Sequence, residues 1–205
     1  MSNAKTISWE GGPSGLGAVQ RVFLDLAENT AHYSGYHPSL IWGNIQNPTY
    51  VRAVFENLRA IYSITDEEVE VAVQARIERG KFLGRPGYIY EVVMGEQALL
   101  TPIGGRDVQR GQLERLIAEL DTPGLRLGVI PARAAVPIHS TGGFSIFSDQ
   151  QQSGGRVETE DLSGLRTITA PDAVANYRAV HAMLRQAALY GADARALIEQ
   201  VLDET

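Results

Sequence analysis

The chain has no cysteine, which excludes disulfides, zinc–thiolate sites and cysteine nucleophiles. It has no apolar run near the roughly 20 residues that a membrane-spanning helix needs, so no membrane partner is expected. The opening residues, MSNAKTISWEGG, lack the charged-then-apolar order of a signal peptide. Together with the missing cysteines, this fits a cytoplasmic, reducing setting. Basic excess is also lacking: 18 Lys and Arg face 24 Asp and Glu, for a net charge of −6. The arginines Arg76, Arg79, Arg85, Arg106, Arg110 and Arg115 are interleaved with acids, whereas counter-ion release on nucleic acid needs clustered cations. Direct nucleic-acid binding is not expected. Ser140, Thr141 and Asp149 lie near His139, but no nucleophile elbow surrounds them. Gly11-Gly12 and Gly104-Gly105 are too short to cradle phosphate. No metal or cofactor is expected.

What is present suits a globular fold. Of 205 residues, 44 % are hydrophobic and 20 % charged, enough for a sizeable core without covalent staples. Residues 1–12 are expected to be a poorly ordered segment or tag, and 13–205 a single domain. Apolar residues Leu16, Val19, Phe23, Leu26 and Ala27 recur at helical spacing, predicting a helix over 16–30 with Ser14 as its N-cap. Residues 31–48 read as an aromatic-rich loop holding Tyr33, Tyr36, His37 and Trp42. A second helix is predicted over 48–61. A third opens on the capping box Thr65-Asp66-Glu67-Glu68 and runs to about Lys81.

The run YIYEVVM at 88–94 is the clearest strand, with Tyr88, Tyr90, Val92 and Met94 on one face and Ile89, Glu91 and Val93 on the other. Residues 96–100 read as a connector and 107–120 as a helix. Short strands are predicted at 125–130, 144–147, 156–160 and 165–168, with 150–155 as a flexible turn. Helices are predicted over 171–189 and 192–202, the first with Pro171 and Asp172 in its opening turn. Helices come first, strands cluster in the middle and helices close the chain. The expected fold is therefore α+β, with a mostly antiparallel central sheet and helices at the N-terminal and C-terminal ends.

Several polar residues are placed for ligand work. His139 sits in a Pro/Gly loop between strands, where an imidazole titrating near neutrality can meet a ligand or bond local backbone. Glu91 lies on an otherwise apolar strand beside Tyr90. Burying its charge is costly, so it is either a raised-pKa base or the partner of an arginine. Arg76 and Arg79 share a helix face and can hold a carboxylate or phosphate, or pair within the chain. Tyr177 and His181 are one helical turn apart and either line a cavity or pack. The aromatic cluster at 33–42 is either a lid or a core plug.

In order along the chain, several blocks resemble a domain of unknown function found behind XRE-type helix-turn-helix modules in actinobacterial regulators, an antitoxin-like (Scr-type) family. Its Pro-Gly-Leu-Leu-Gln-Thr motif and Tyr-Ala-Arg-Ala helix are matched by His37-Pro38-Ser39-Leu40-Ile41-Trp42 and Pro48-Thr49-Tyr50-Val51-Arg52-Ala53, with extra residues between. Its Arg-x-x-Arg-Gln helix is matched by Arg76-Ile77-Glu78-Arg79-Gly80. Its Glu-x-x-Leu and Gly-Gly blocks correspond to Glu96-Gln97-Ala98-Leu99 and Gly104-Gly105, and its Gln-Leu helix to Gln112-Leu113. The tightest match is Val129-Ile130-Pro131, His139 to Gly143, and Phe144. The likeness extends over most of residues 16–202. The chain lacks the Gly-Leu-Leu-Gln-Thr core and a preceding DNA-binding module: either that module was cut away or this is a divergent, stand-alone copy.

The resemblance implies a regulatory domain that senses a small-molecule effector or a small partner protein and forms a homodimer. Arg76, Tyr90, Glu91, His139, Tyr177 and His181 are the expected ligand contacts. The alternative is a cyclase- or isomerase-type enzyme of natural-product biosynthesis on the same fold, with Glu91 and His139 as its acid–base pair.

Overall fold

The computed structural model describes residues 5–9, 15–140, 142–148 and 154–205. In chain order the elements are strand Lys5–Ile7 (β1), helix Leu16–Asn29 (α1), strand His32–His37 (β2), helices Pro48–Leu58 (α2) and Asp66–Gly80 (α3), and strand Ile89–Gly95 (β3). They continue with the single turn Gln97–Leu100 (α4), helix Arg106–Glu119 (α5), and strands Leu125–Ile130 (β4), Phe144–Ser148 (β5), Arg156–Asp161 (β6) and Gly164–Ile168 (β7). Helix Pro171–Leu184 (α6), strand Leu189–Tyr190 (β8) and helix Gly191–Glu204 (α7) follow.

The connections explain the sheet. Helical crossovers separate β2 from β3 and β3 from β4, and a strand reached through a helix comes back parallel. Both of those pairs are parallel. The strands joined without helices, β5 to β6 and β6 to β7, pair antiparallel, as do β1 with β7, β2 with β5 and β4 with β8. The order is β1-β7-β6-β5-β2-β3-β4-β8. This is the expected α+β fold with a mostly antiparallel sheet.

Alternation along each strand divides the core in two. Tyr33, Tyr90, Val92, Met94, Leu127, Val129 and Phe147 join residues of α1, α2, α3, α5 and α7 in the larger cluster. Val93, Ile130, Phe144, Ile146 and Val157 meet α6 and the 134–138 segment on the opposite face. The two faces assigned to residues 88–94 from sequence are the two faces observed.

Helix α3 begins at the predicted capping box, with Thr65 accepting from the Glu68 amide and Glu68 accepting from the Thr65 amide. It ends at Gly80, where a Cβ would stand 2.8 Å from the Asn44 carbonyl. That close approach seats the 3-10 turn Gly43–Ile45 against the helix.

Several expectations are corrected. Residues 31–48 are not one loop: His32–His37 is a central strand, paired on both sides. Lys5–Ile7, placed in the poorly ordered leader, is an edge strand on β7. Beyond it, Trp9 is buried, its indole N–H donating to the Asp161 carbonyl at 2.6 Å. The connector at 96–100 holds the turn α4, and the helix predicted over 171–189 stops at Leu184 so that β8 can pair with β4. Ser14, Thr141, Asp149 and residues 150–153 lie outside the described residues. No helix among the described residues is long and apolar enough to cross a membrane.

Candidate functional site: an arginine-floored cleft

On α3 the core-facing stripe runs Val69, Ala72, Val73 and then Arg76, with Arg79 one turn further; all are buried. Two guanidiniums thus occupy positions where helical spacing calls for leucine. Arg76 is 7 % exposed and Arg79 6 %. The Nε of Arg76 donates to the Gln20 side-chain carbonyl at 3.3 Å and its Nη1 to that of Gln46 at 2.9 Å, while its guanidinium lies 4.3 Å above the Phe55 ring. Arg79 lies 4.9 Å above Phe23 and packs against Gly43, where any side chain would meet its guanidinium. Its Nε has no hydrogen-bond partner. Among the described residues neither arginine is in an ion pair.

The facing wall is the sheet. Gly35 leaves room for the Tyr33 ring to lie along the strand, so its hydroxyl meets His37 Nε2 at 2.8 Å and Ser145 Oγ at 2.9 Å. From β6, Glu158 and Glu160 point to this same face. Glu158 is satisfied: Arg156 Nε donates to it at 2.5 Å and the Thr167 hydroxyl at 2.9 Å. Glu160 is exposed through the cleft mouth and has no hydrogen bond or ion pair among the described residues. Two adjoining hollows of about 40 and 140 Å³ share Phe23, His37, Leu40, Ser145 and Glu160; the first also reaches Arg76, Arg79, Tyr33 and Trp42.

The electrostatics follow from depth. Burial lowers the affinity of both arginines for their proton, and mutual repulsion adds to this at Arg76, yet a guanidinium remains charged at neutral pH. Burial, with repulsion from Arg79, His181 and Arg76, drives His37 down to about 3, so it is neutral. Burial also raises the Tyr33 phenol. Although Glu160 as a whole is exposed, loss of water around its carboxyl inside the cleft raises it against the pull of Arg76 and Arg79. The cleft therefore presents two buried cations on one wall, a carboxylate on the other, and a neutral Ser–Tyr–His chain and aromatic rings between them.

The sheet divides the residues singled out from sequence. Arg76 and Tyr90 lie on the cleft face, but Tyr90 is core: it packs on Trp42 and Tyr33, and its hydroxyl has no partner. Glu91 lies on the other face, beneath α6, and Tyr177 and His181 are on α6 itself. Glu91 pairs with Arg185 at 2.5 Å and His32 at 3.4 Å. The His32 hydrogen bond, then Arg185, hold its carboxyl below the usual range despite burial, so it is an ionised structural partner and not a raised-pKa base. Tyr177 packs edge-on against Phe144 at 5.1 Å. Burial lowers His181 to about 4. His139 is exposed in the β4–β5 loop. The expected Glu91–His139 pair in one hollow is not seen among the described residues: Arg185 and His32 hold Glu91, whereas His139 stands exposed in the β4–β5 loop.

Sequence reasoning placed Arg76 and Arg79 together but passed over Glu160, Ser145 and the Tyr33–His37 relay. The signal for the arginines was present, as cations continuing an apolar stripe. Glu158 and Glu160 alternate with Val157 and Thr159, which reads as a solvated strand face unless a helix is known to roof it.

No curated protein matches this chain. A family model described as a domain of unknown function, DUF5753, matches residues 20–200, which takes in every residue named in the cleft, and on that match the chain belongs to the DUF5753 family.

Proposed function

We propose that the chain is a ligand-sensing regulatory domain that takes a small molecule by its anionic group in the Arg76–Arg79 cleft. The supporting observation is Arg79: a cation buried to 6 % exposure, with a free Nε and no ion-pair partner among the described residues. Burying an unpaired charge is costly, and a carboxylate or phosphate offsets that cost through charge-assisted hydrogen bonds. The likeness to domains behind XRE-type helix-turn-helix modules in actinobacterial regulators supports a sensing role. A ligand held between α3 and the sheet favours the arrangement in which both walls are in place, which is the differential affinity a switch requires. A catalytic reading lacks the acid–base pair on which it was built.

Titration calorimetry with 3-phenylpropanoate and with phenyl phosphate tests this and separates carboxylate from phosphate. Saturable binding of at least one is expected. Arg79→Met should weaken it about 30-fold or more, the scale for breaking a buried charge pair, and Arg195→Met, at an exposed pair with Asp121, should leave it within about twofold. Arg79→Met should fold at least as well as the parent, since it removes an unpaired buried charge. Binding of neither anion, or unaltered binding to a folded Arg79→Met variant, overturns the proposal.

A further inference from the structure

Resting on the anion-binding reading, we infer that the cleft selects an amphoteric ligand: a small α-amino carboxylate type of molecule with its carboxylate on Arg76 and Arg79 and its ammonium on Glu160. The argument starts from what the cleft leaves apart. Glu160 and the two arginines line the same hollow and feel one another's charge, yet they form no ion pair among the described residues. The cations are held back from the carboxylate: Arg76 is tied to Gln20 and Gln46, and Arg79 is stacked over Phe23 and packed against Gly43. The neighbouring Glu158 shows the contrast, since Arg156 and Thr167 satisfy it. Opposite charges fixed across a gap form a preorganised receptor for a molecule carrying the complementary pair.

The remaining features narrow the ligand. A purely anionic molecule on the arginines would face the Glu160 carboxylate at close range and lose part of its gain. A purely cationic one would face two guanidiniums. The hollows, about 40 and 140 Å³, are small beside the roughly 300–1,000 Å³ of drug-sized sites, so the ligand is of amino-acid size. Phe23, Tyr33 and Phe147 line the hollow that holds the arginines and suit an apolar or aromatic side chain.

The test uses three near-isosteric probes on the full chain: L-phenylalanine, 3-phenylpropanoate and 2-phenylethylamine, followed by calorimetry and by amide chemical shifts in the cleft. L-Phenylalanine should bind about tenfold or more tighter than 3-phenylpropanoate, a difference of about 1.4 kcal/mol, and 2-phenylethylamine should not bind measurably. Glu160→Gln, a change at an exposed side chain that leaves the fold intact by circular dichroism, should bring L-phenylalanine and 3-phenylpropanoate within about twofold of one another. If the two bind the parent equally and Arg79→Met abolishes both, the amphoteric inference falls while the anion site stands. Failure of all three probes to bind overturns the amphoteric inference; failure of phenyl phosphate as well, or binding indifferent to Arg79→Met, overturns both.

Discussion

Arg156→Met is expected to destabilise the protein by about 3 kcal/mol, read as a fall of about 1.5 M in the urea midpoint at unchanged slope. The cause is the group left behind. The Glu158 side chain is fully buried, while that of Arg156 is 34 % exposed. Removing the arginine strands a carboxylate with only the Thr167 hydroxyl for company, in a site where burial already raises its pKa. The partial exposure of Arg156 places the cost at the low end of the range for broken buried pairs. The double variant Arg156→Met/Glu158→Leu should recover most of the loss, because no charge then remains to be desolvated. A loss below about 1 kcal/mol in the single variant would show that Glu158 is solvated after all. The contrast with Arg79 is instructive: the same substitution type on the same face carries the opposite sign, because Arg156 neutralises a buried charge and Arg79 is one.

The parts of the fold that were legible in sequence are those governed by local rules. The capping box of α3 depends on four consecutive residues, and the alternation of β3 on seven, so both could be read directly. Strand β2 could not. HYSGYH has no β-branched residue and contains glycine and serine, and its intrinsic preference is for a loop. It is a strand because β3 and β5 flank it and satisfy its backbone. Gly35, a residue depleted in strands, is what lets Tyr33 fold along this one to reach His37. The two parallel pairings also escaped notice, since they arise from which helices intervene and not from any strand's own residues.

The candidate site was half legible for a related reason. The members of the cleft are spread over α1, α3, β2, β5 and β6. Only the two arginines, on one helix face, had a spacing to betray them. Glu91 attracted notice as a charge on an apolar strand, and it is answered by Arg185 from across the sheet face. That is the ordinary resolution of a half-buried carboxylate. Glu160, on a strand that looked solvated, drew none.

Stability should fall as the solution is acidified from pH 6.5, well before ordinary carboxylates titrate. His181, 3 % exposed, is neutral in the folded protein because burial lowers it to about 4, aided by Arg185 and opposed by Glu91. Unfolded, it regains the ordinary value of 6.5. Below 6.5 the unfolded chain therefore takes up a proton that the folded chain refuses, and the folded state loses ground until pH reaches the folded value near 4. At about 1.4 kcal/mol for each pH unit that separates the folded from the unfolded value, His181 alone accounts for a loss on the order of 3 kcal/mol. His37, lowered to about 3 but partly open to the cleft, adds a smaller share over the same window. Glu158 and Glu160, both raised, act oppositely: the folded state binds their protons before the unfolded chain does, which offsets part of the loss as pH falls. Glu91, lowered, adds its own loss only below 4.5. Urea midpoints at pH 7.5, 6.5, 5.5 and 4.5 should decline throughout the series, and His181→Gln should flatten the decline by more than half, since it carries the larger of the two histidine shares. If the slope survives in His181→Gln unchanged, the His181 imidazole on α6 is already protonated in the folded protein, held charged by Glu91, and joins Arg185 as a second cation on that carboxylate.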